Sequence, residues 1–174
     1  MRTVVLGARP AALESLIARR RELGLDGADE LWEGEYHMAP AAHPAHGIID
    51  NELAVLLDPP ARKVGLIGTG PFNLGESTDY RVPDRGFHRV VPDSIWVPTA
   101  AVVIEIVSPD DETWDKLGFY AGRGVDEVMI VDPSDQSVSC LSLDGGGYGR
   151  SGASRLLGIS AADITQRILW PTTR

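Results

Sequence analysis

The stretch from Val102 to Pro109 carries one charged side chain, Glu105, inside an otherwise apolar run. A carboxylate in a buried strand is costly unless it is paired or holds a metal ion. A second acid, Asp84, follows a proline about one strand upstream, and Lys116 lies in a predicted helix just downstream. Two acids and a lysine on adjacent elements are the groups that a magnesium-dependent phosphodiesterase needs, because Mg²⁺ prefers oxygen ligands and activates a bound water.

The order of these residues suggests a role for each. Asp84, Glu105 and the backbone carbonyl of Ile106 are candidate metal ligands. Lys116 is a candidate for orienting the attacking water or stabilising the charge that develops. A structural ion pair between Glu105 and Lys116 explains the same residues without catalysis, so both interpretations stay open. Three further acids are expected to be helix-start charges rather than ligands: Asp110, Asp111 and Glu112.

The chain contains a second proline–aspartate pair, Pro92-Asp93. Asp93 precedes Ser94 and is typical of a turn, whereas Asp84 lies in a strand-like context. Asp84 is also far enough from Glu105 along the chain to leave room for a strand pair between them. We therefore predict that Asp84, and not Asp93, is the acid that belongs with Glu105.

The protein has 174 residues and a formal net charge of −9. This acidic balance argues against a protein that coats nucleic acid, since phosphate contacts require Lys and Arg. It does not exclude a nuclease, because acidic metal ligands add to the negative count. Four basic residues around Asp84 form either a strip that guides DNA or a solvated strand face: Arg81, Arg85, His88 and Arg89.

Composition favours one ordinary globular domain over residues 1–174, with 43% hydrophobic and 24% charged residues. No apolar run approaches the roughly 20 residues that cross a bilayer. The single cysteine, Cys140, excludes an internal disulfide, and a cytoplasmic location is the default expectation. His37, His43 and His46 lack the spacing of a known zinc motif, so we expect exposed or capping roles for them.

Hydrophobic spacing and helix-breaking residues predict four helices, at 11–23, 44–57, 109–123 and 161–167. Pro59-Pro60 is expected to end the second helix. Ser108 and Asp111 are expected to form a capping box at the start of the third. One face of that third helix should pack on a sheet: Trp114, Leu117, Gly118 and Ala121.

Alternation and turn residues predict a hairpin over 30–38, followed by a strand-rich middle. The expected strands cover 64–68, 71–75, 79–83, 87–91, 101–107, 125–131 and 137–143. This order of helices and strands predicts a mixed α/β sheet with helices on its flanks.

Several motifs occur together in an order that resembles a known family. The matching segments lie within residues 29–133 and are Glu33-Gly34-Glu35, Met38, Pro40, His46, Tyr80-Arg-Val-Pro-Asp84, Ala101 to Pro109, Asp115-Lys116, Tyr120, Gly124-Val125 and Val128 to Pro133. In this combination the chain resembles the Uma-two family of restriction-endonuclease-like proteins, within the PD-(D/E)XK nuclease superfamily. The resemblance implies an α/β (mixed α+β) fold, with a restriction-endonuclease-like central mixed β-sheet flanked by helices.

The resemblance also implies a site for Mg²⁺ or Mn²⁺. Asp84 corresponds to the acid of the PD motif and Glu105 to the acid of the (D/E)XK motif. Val107 stands where that motif usually has its lysine, and Lys116 occupies the place in the following helix where the family has one. Three more residues match family positions: Glu35 as an extra ligand or water holder, and His46 and Tyr120 as support or substrate contacts.

The activity implied by the resemblance is hydrolysis of DNA phosphodiester bonds by a metal-dependent endonuclease, expected to act as a homodimer. A second hypothesis is a catalytically inactive module that keeps the fold for binding or regulation. The net negative charge of the chain leaves that hypothesis open, and so does the position of Lys116 in the helix instead of two residues after Glu105. A third is a structural dimer in which Glu105 and Lys116 form an ordinary buried pair.

Overall fold

The computed structural model describes the backbone of residues 3–5 and the whole of residues 10–109 and 112–171. The helices are α1 (Ala11–Glu22), α2 (Pro44–Lys63), α3 (Leu117–Gly122) and α4 (Ala161–Arg167), and a 3₁₀ turn (Thr113–Lys116) leads directly into α3. The strands are β1 (Thr3–Val5), β2 (Glu30–Trp32), β3 (Glu35–Met38), β4 (Ile67–Thr69), β5 (Asn73–Glu76), β6 (Asp79–Arg81), β7 (Arg85–His88), β8 (Trp96–Val97), β9 (Val102–Ile106), β10 (Glu127–Asp132), β11 (Ser137–Asp144), β12 (Gly147–Ser151), β13 (Ala153–Ser154) and β14 (Ile159–Ser160).

The strands form two six-stranded sheets and a two-stranded ribbon of β13 and β14. The first sheet has the order β1-β3-β2-β6-β5-β8, and the second has the order β12-β11-β10-β9-β7-β4. Both sheets are mixed, since β5 pairs with β8 and β9 with β10 in parallel. The predicted mixed fold is therefore confirmed. The strands are divided between two sheets and do not form one central sheet. The segment Val82-Pro83-Asp84 links β6 of the first sheet to β7 of the second.

Strand β9 is the centre of the second sheet, and all five of its residues are buried. Side chains alternate between the two faces of a strand. Ile104 and Ile106 pack in the cluster that contains α2 and α4 residues, whereas Val103 packs in the cluster that contains Tyr120 of α3. Glu105 shares the face of Val103, so the strand directs its carboxylate toward α3.

Helix α2 does not end at Pro59-Pro60 but continues to Lys63, so that prediction was wrong. A proline removes the hydrogen bond to the carbonyl four residues earlier. The carbonyl that Pro59 deprives of a donor belongs to Val55, which is 77% exposed and therefore accessible to water. The last turn also buries Ala61 completely. Leu57 and Ala61, both completely buried, pack the end of the helix against the core on either side of the two prolines.

The predicted buried face of the third helix was wrong in part, since only Leu117 of its large side chains packs against the core. Trp114 is 48% exposed, and the buried residues are Thr113, Lys116 and Tyr120. The initial 3₁₀ turn changes the phase of the helix, and the strand face opposite carries Glu105 rather than only apolar groups. A lysine and a tyrosine therefore face the sheet. The predicted capping box involves Asp111, which lies outside the described residues, as does Asp110.

Candidate active site

The Glu105 carboxylate is buried and accepts hydrogen bonds from two side chains. The Lys116 ammonium donates to both of its oxygens, at 3.1 and 3.2 Å, and the Tyr120 hydroxyl donates to Oε1. Burial raises the pKa of Glu105 to about 8; nearby Lys116 opposes this rise, and the charges of Asp84 and Glu30 add to it. The hydrogen bonds from Lys116 and Tyr120 offset part of this effect of burial.

Asp84 is fixed to the strand that carries Glu105. Its Oδ2 accepts a hydrogen bond from the Ile106 backbone N–H at 2.7 Å, and its Oδ1 lies 2.9 Å from His46 Nε2 on α2. The N–H and C=O of one strand residue point to the same side of the strand. The Ile106 carbonyl, a predicted ligand, therefore faces the side on which Asp84 lies.

A cavity of about 330 Å³ opens beside these groups. Its walls include Asp84, Glu105, Ile106, Lys116 and His46. The structure thus brings together five of the residues singled out from the sequence. Tyr120 contacts Glu105 from behind and does not line the cavity. The other candidate aspartate, Asp93, is exposed in the loop before β8, as expected for a turn residue.

Glu35 is not part of this group. It lies opposite Trp32, next to the turn of the β2–β3 hairpin, and it does not line the cavity. The glutamate that reaches the site is Glu30, at the other end of β2. Its Oε1 lies 2.9 Å from Lys116 Nζ. The expectation for Glu35 came from a motif match, and the register of the hairpin places Glu30 at the site instead.

Sequence reasoning missed Glu30, whose signal is weaker than that of Glu105. Glu105 has apolar residues on both sides, whereas Glu30 follows Asp29 and precedes Leu31-Trp32. Glu30 is completely buried. Its carboxylate accepts hydrogen bonds from the Val82 N–H at 2.9 Å and from the Trp32 indole N–H at 2.6 Å. A charged residue at the start of a short apolar strand was the available clue.

The basic strip expected around Asp84 does not form. Arg85 pairs with Asp50 at 2.8 Å, and Arg89 pairs with Asp126 at 2.8 Å. Arg81 is buried, with its guanidinium 4.3 Å from the centre of the Trp32 ring and 4.1 Å from that of Phe119. His88 is buried against Thr69. Neither a DNA-guiding strip nor a solvated strand face describes these four residues.

The three histidines with no zinc-like spacing also lie in separate environments. His43 caps α2 by accepting from the Ala45 N–H at 3.2 Å. His37 stacks on Trp32 with ring centres 4.2 Å apart, and His46 contacts Asp84. In residues 10–109 and 112–171, no group of three or more His, Cys, Asp or Glu side chains is arranged to hold a metal.

The donor groups at the cavity nevertheless fit Mg²⁺ or Mn²⁺. Asp84 and Glu105 supply carboxylate oxygens and Ile106 a carbonyl oxygen, and such ions commonly bind through one or two carboxylates with water as the remaining ligands. Burial is the main cause of the raised pKa of Glu105, and the charges of Asp84 and Glu30 add to it. Lys116 contacts the carboxylates of Glu30 and Glu105, and with Asp84 nearby the acids outnumber its single positive charge. A cation at the cavity would offset this excess of negative charge.

Two mixed sheets with flanking helices, and a pair of acids beside a lysine, define a protein of the nuclease-fold class. The sequence model of the Uma2 family, described as "putative restriction endonuclease", matches residues 19–166. The chain belongs to this family.

A solved structure supports the same fold. The chain is similar to the crystal structure of a "putative nuclease belonging to DUF820" from Anabaena variabilis ATCC 29413, with a TM-score of 0.69 and 16% identity over 83% of this chain and 93% of that one. A search of curated proteins finds no match. No helix within the described residues is long and apolar enough to cross a membrane.

Proposed function

We propose that the protein is a divalent-metal-dependent endonuclease that hydrolyses DNA phosphodiester bonds at the cavity beside Glu105. The observation that carries the proposal is the convergence of Asp84, Glu105 and Lys116 on one cavity. They come from three separate elements: a loop, a central strand and a 3₁₀ turn. Membership of a restriction-endonuclease family favours phosphodiester chemistry for this arrangement.

In this proposal Asp84, Glu105 and the Ile106 carbonyl hold Mg²⁺ or Mn²⁺. When bound, such an ion lowers the pKa of a coordinated water and offsets the charge that develops on the phosphate. Glu105 would hold the ion as its carboxylate. Its bonds to Lys116 and Tyr120 then fix the direction of its oxygens.

Lys116 lines the cavity and is fixed by two carboxylates, so its ammonium can hold the attacking water or the phosphate oxygens. Hydrolysis forms a phosphorus–oxygen bond to water, breaks one to the sugar oxygen, and transfers the proton of the water to the leaving oxygen or solvent. His46, hydrogen-bonded to Asp84, orients that carboxylate toward the cavity.

A second candidate is a nuclease fold that binds without cutting. The pairing of Arg85 with Asp50 favours it, since this basic side chain, next to Asp84 in the chain, already has an acidic partner. Calorimetric titration of Mn²⁺ into the wild type, Asp84→Asn and Glu105→Gln tests the metal site. Supercoiled plasmid, single-stranded DNA and RNA, each incubated with Mg²⁺ or Mn²⁺, then test cleavage.

The expected result is Mn²⁺ binding that is lost in both acid variants, with nicking of plasmid that Lys116→Met reduces without loss of Mn²⁺ binding. Glu127→Gln is the matched control, because Glu127 is a buried carboxylate in β10 that does not line the cavity. Mn²⁺ binding without cleavage of any substrate would favour the binding module. No Mn²⁺ binding in the wild type would reject the metal site. The homodimer stays a prediction, which sedimentation velocity tests.

A further inference from the structure

Glu30 is held by groups that cannot easily move. Its Oε1 accepts from the Val82 backbone N–H, and its Oε2 accepts from the Trp32 indole at 2.6 Å. The Trp32 ring is itself packed between His37 and the guanidinium of Arg81. The side chain is completely buried. Its negative charge is therefore fixed in position before any ligand arrives.

Glu30 stands behind Lys116 as viewed from the cavity. Lys116 lines the cavity, whereas Glu30 does not. The ammonium of Lys116 lies 2.9 Å from Glu30 Oε1 and 3.1 Å from Glu105 Oε1, so it bridges the two carboxylates. These carboxylates belong to different sheets, since Glu30 is in β2 and Glu105 is in β9.

This bridge creates a conflict once Glu105 binds a cation. A metal ion and the Lys116 ammonium would then share the same carboxylate, and two positive charges a few ångströms apart in a buried site repel each other strongly. With Glu105 as its only partner, Lys116 would either block the metal or be displaced. A second carboxylate on the far side of the ammonium removes this conflict, because it supplies a partner that the metal cannot reach.

We propose that Glu30 is a positioning residue that keeps Lys116 at the wall of the cavity when Glu105 binds the catalytic metal. The inference rests on the proposed function. Glu30 acts through Lys116 and touches neither metal nor substrate. It thereby separates two roles of the site: Glu105 is released for the metal, and Lys116 remains available to the water or phosphate.

The test is a double-mutant cycle of Glu30→Gln and Lys116→Met, read out as the Mn²⁺ affinity by calorimetry on the full chain. Glu30→Gln alone should weaken Mn²⁺ binding at least about fivefold, the lower end of ordinary coupling between two sites. Lys116→Met should bind Mn²⁺ at least as tightly as the wild type. In the Lys116→Met background, Glu30→Gln should change the affinity less than about twofold, because no ammonium is left to compete.

Three outcomes of the cycle would overturn the inference about Glu30. An equal loss of affinity from Glu30→Gln in both backgrounds would overturn the inference, since Glu30 would then act by its own charge or on the fold. Unchanged affinity in the single variant would overturn it too. A wild type that does not bind Mn²⁺ would reject the proposed metal site itself, and the inference with it.

Two further variants serve as a control and as a replacement. Glu127→Gln neutralises another buried carboxylate, which accepts from Ser154 and from two backbone N–H groups, and it should leave the Mn²⁺ affinity unchanged. If Glu30→Gln does not fold, Glu30→Asp takes its place, because it keeps the charge but withdraws it from Lys116. The same coupling to Lys116→Met is then expected, and its absence is again the refuting result.

Discussion

The buried carboxyl of Glu105 should make the metal-free protein less stable as the pH rises. Its pKa is raised from 4.5 to about 8 in the folded chain. A group with a raised folded pKa contributes stability that is fully present below the unfolded pKa and is lost as the pH rises to the folded value. Unfolding free energy should therefore fall between pH 4.5 and 8 on account of this residue.

The size of the effect follows from the shift. At about 1.4 kcal/mol per pH unit, a rise from 4.5 to about 8 corresponds to at most about 5 kcal/mol. That is a large share of the roughly 5–15 kcal/mol by which domains are stable. Glu105→Gln removes the titrating group while keeping an oxygen that accepts from Lys116. The variant should gain stability relative to the wild type at pH 9, and little or none at pH 4.

Urea unfolding in the presence of a chelator, at several values between pH 4 and 9, measures this difference. Glu127→Gln is carried through the same series as the control for replacing a buried Glu by Gln. Mg²⁺ in place of the chelator at pH 9 should restore stability to the wild type and not to Glu105→Gln. Parallel loss of stability in the wild type and Glu105→Gln across the whole series would refute the reasoning about Glu105.

Other changes have equally definite outcomes. Asp84→Asn should abolish the Mn²⁺-induced rise in melting temperature, and a rise equal to that of the wild type would exclude Asp84 as a ligand. Tyr120→Phe removes a buried donor to Glu105 and should cost about 1–3 kcal/mol in urea unfolding, whereas a neutral result would mean that water replaces the hydroxyl. Arg81→Lys should cost about 1–2 kcal/mol in thermal melts, because an ammonium cannot stack flat between two rings; exposed Arg62→Lys is the control. Burial lowers the pKa of His88, so stability should fall as the pH drops below about 6.5, and His88→Gln should reduce that fall.

The sequence predicted the parts of the site that depend on local pattern. An acid inside an apolar strand, Glu105, is visible in a single run of residues, and the strand observed over Val102–Ile106 agrees with it. Asp84 could be preferred over Asp93 because of its strand-like context. The structure places Asp84 against the Ile106 N–H, beside Glu105.

The residues that the sequence misplaced depend on contacts between distant elements. Which face of the third helix is buried was assigned by counting apolar residues, so Trp114 was expected inside. The opposing strand decided the outcome, because Glu105 requires donors and Lys116 and Tyr120 provide them. Glu30 was missed for the same reason, since only the approach of two sheets shows that it meets Lys116.

The geometry of the site therefore depends on how the two sheets pack against each other. Arg81 of the first sheet lies between Trp32, on β2, and Phe119, on α3. This stack sets the distance between the strand that carries Glu30 and the helix that follows Lys116. Close packing continues at Gly75, where a Cβ atom would lie 2.4 Å from the Asp79 carbonyl oxygen and 2.9 Å from the Phe119 ring. Substitutions in this contact, although remote from the cavity, should change the position of Lys116 before they change that of Asp84, whose carboxylate is bonded to β9.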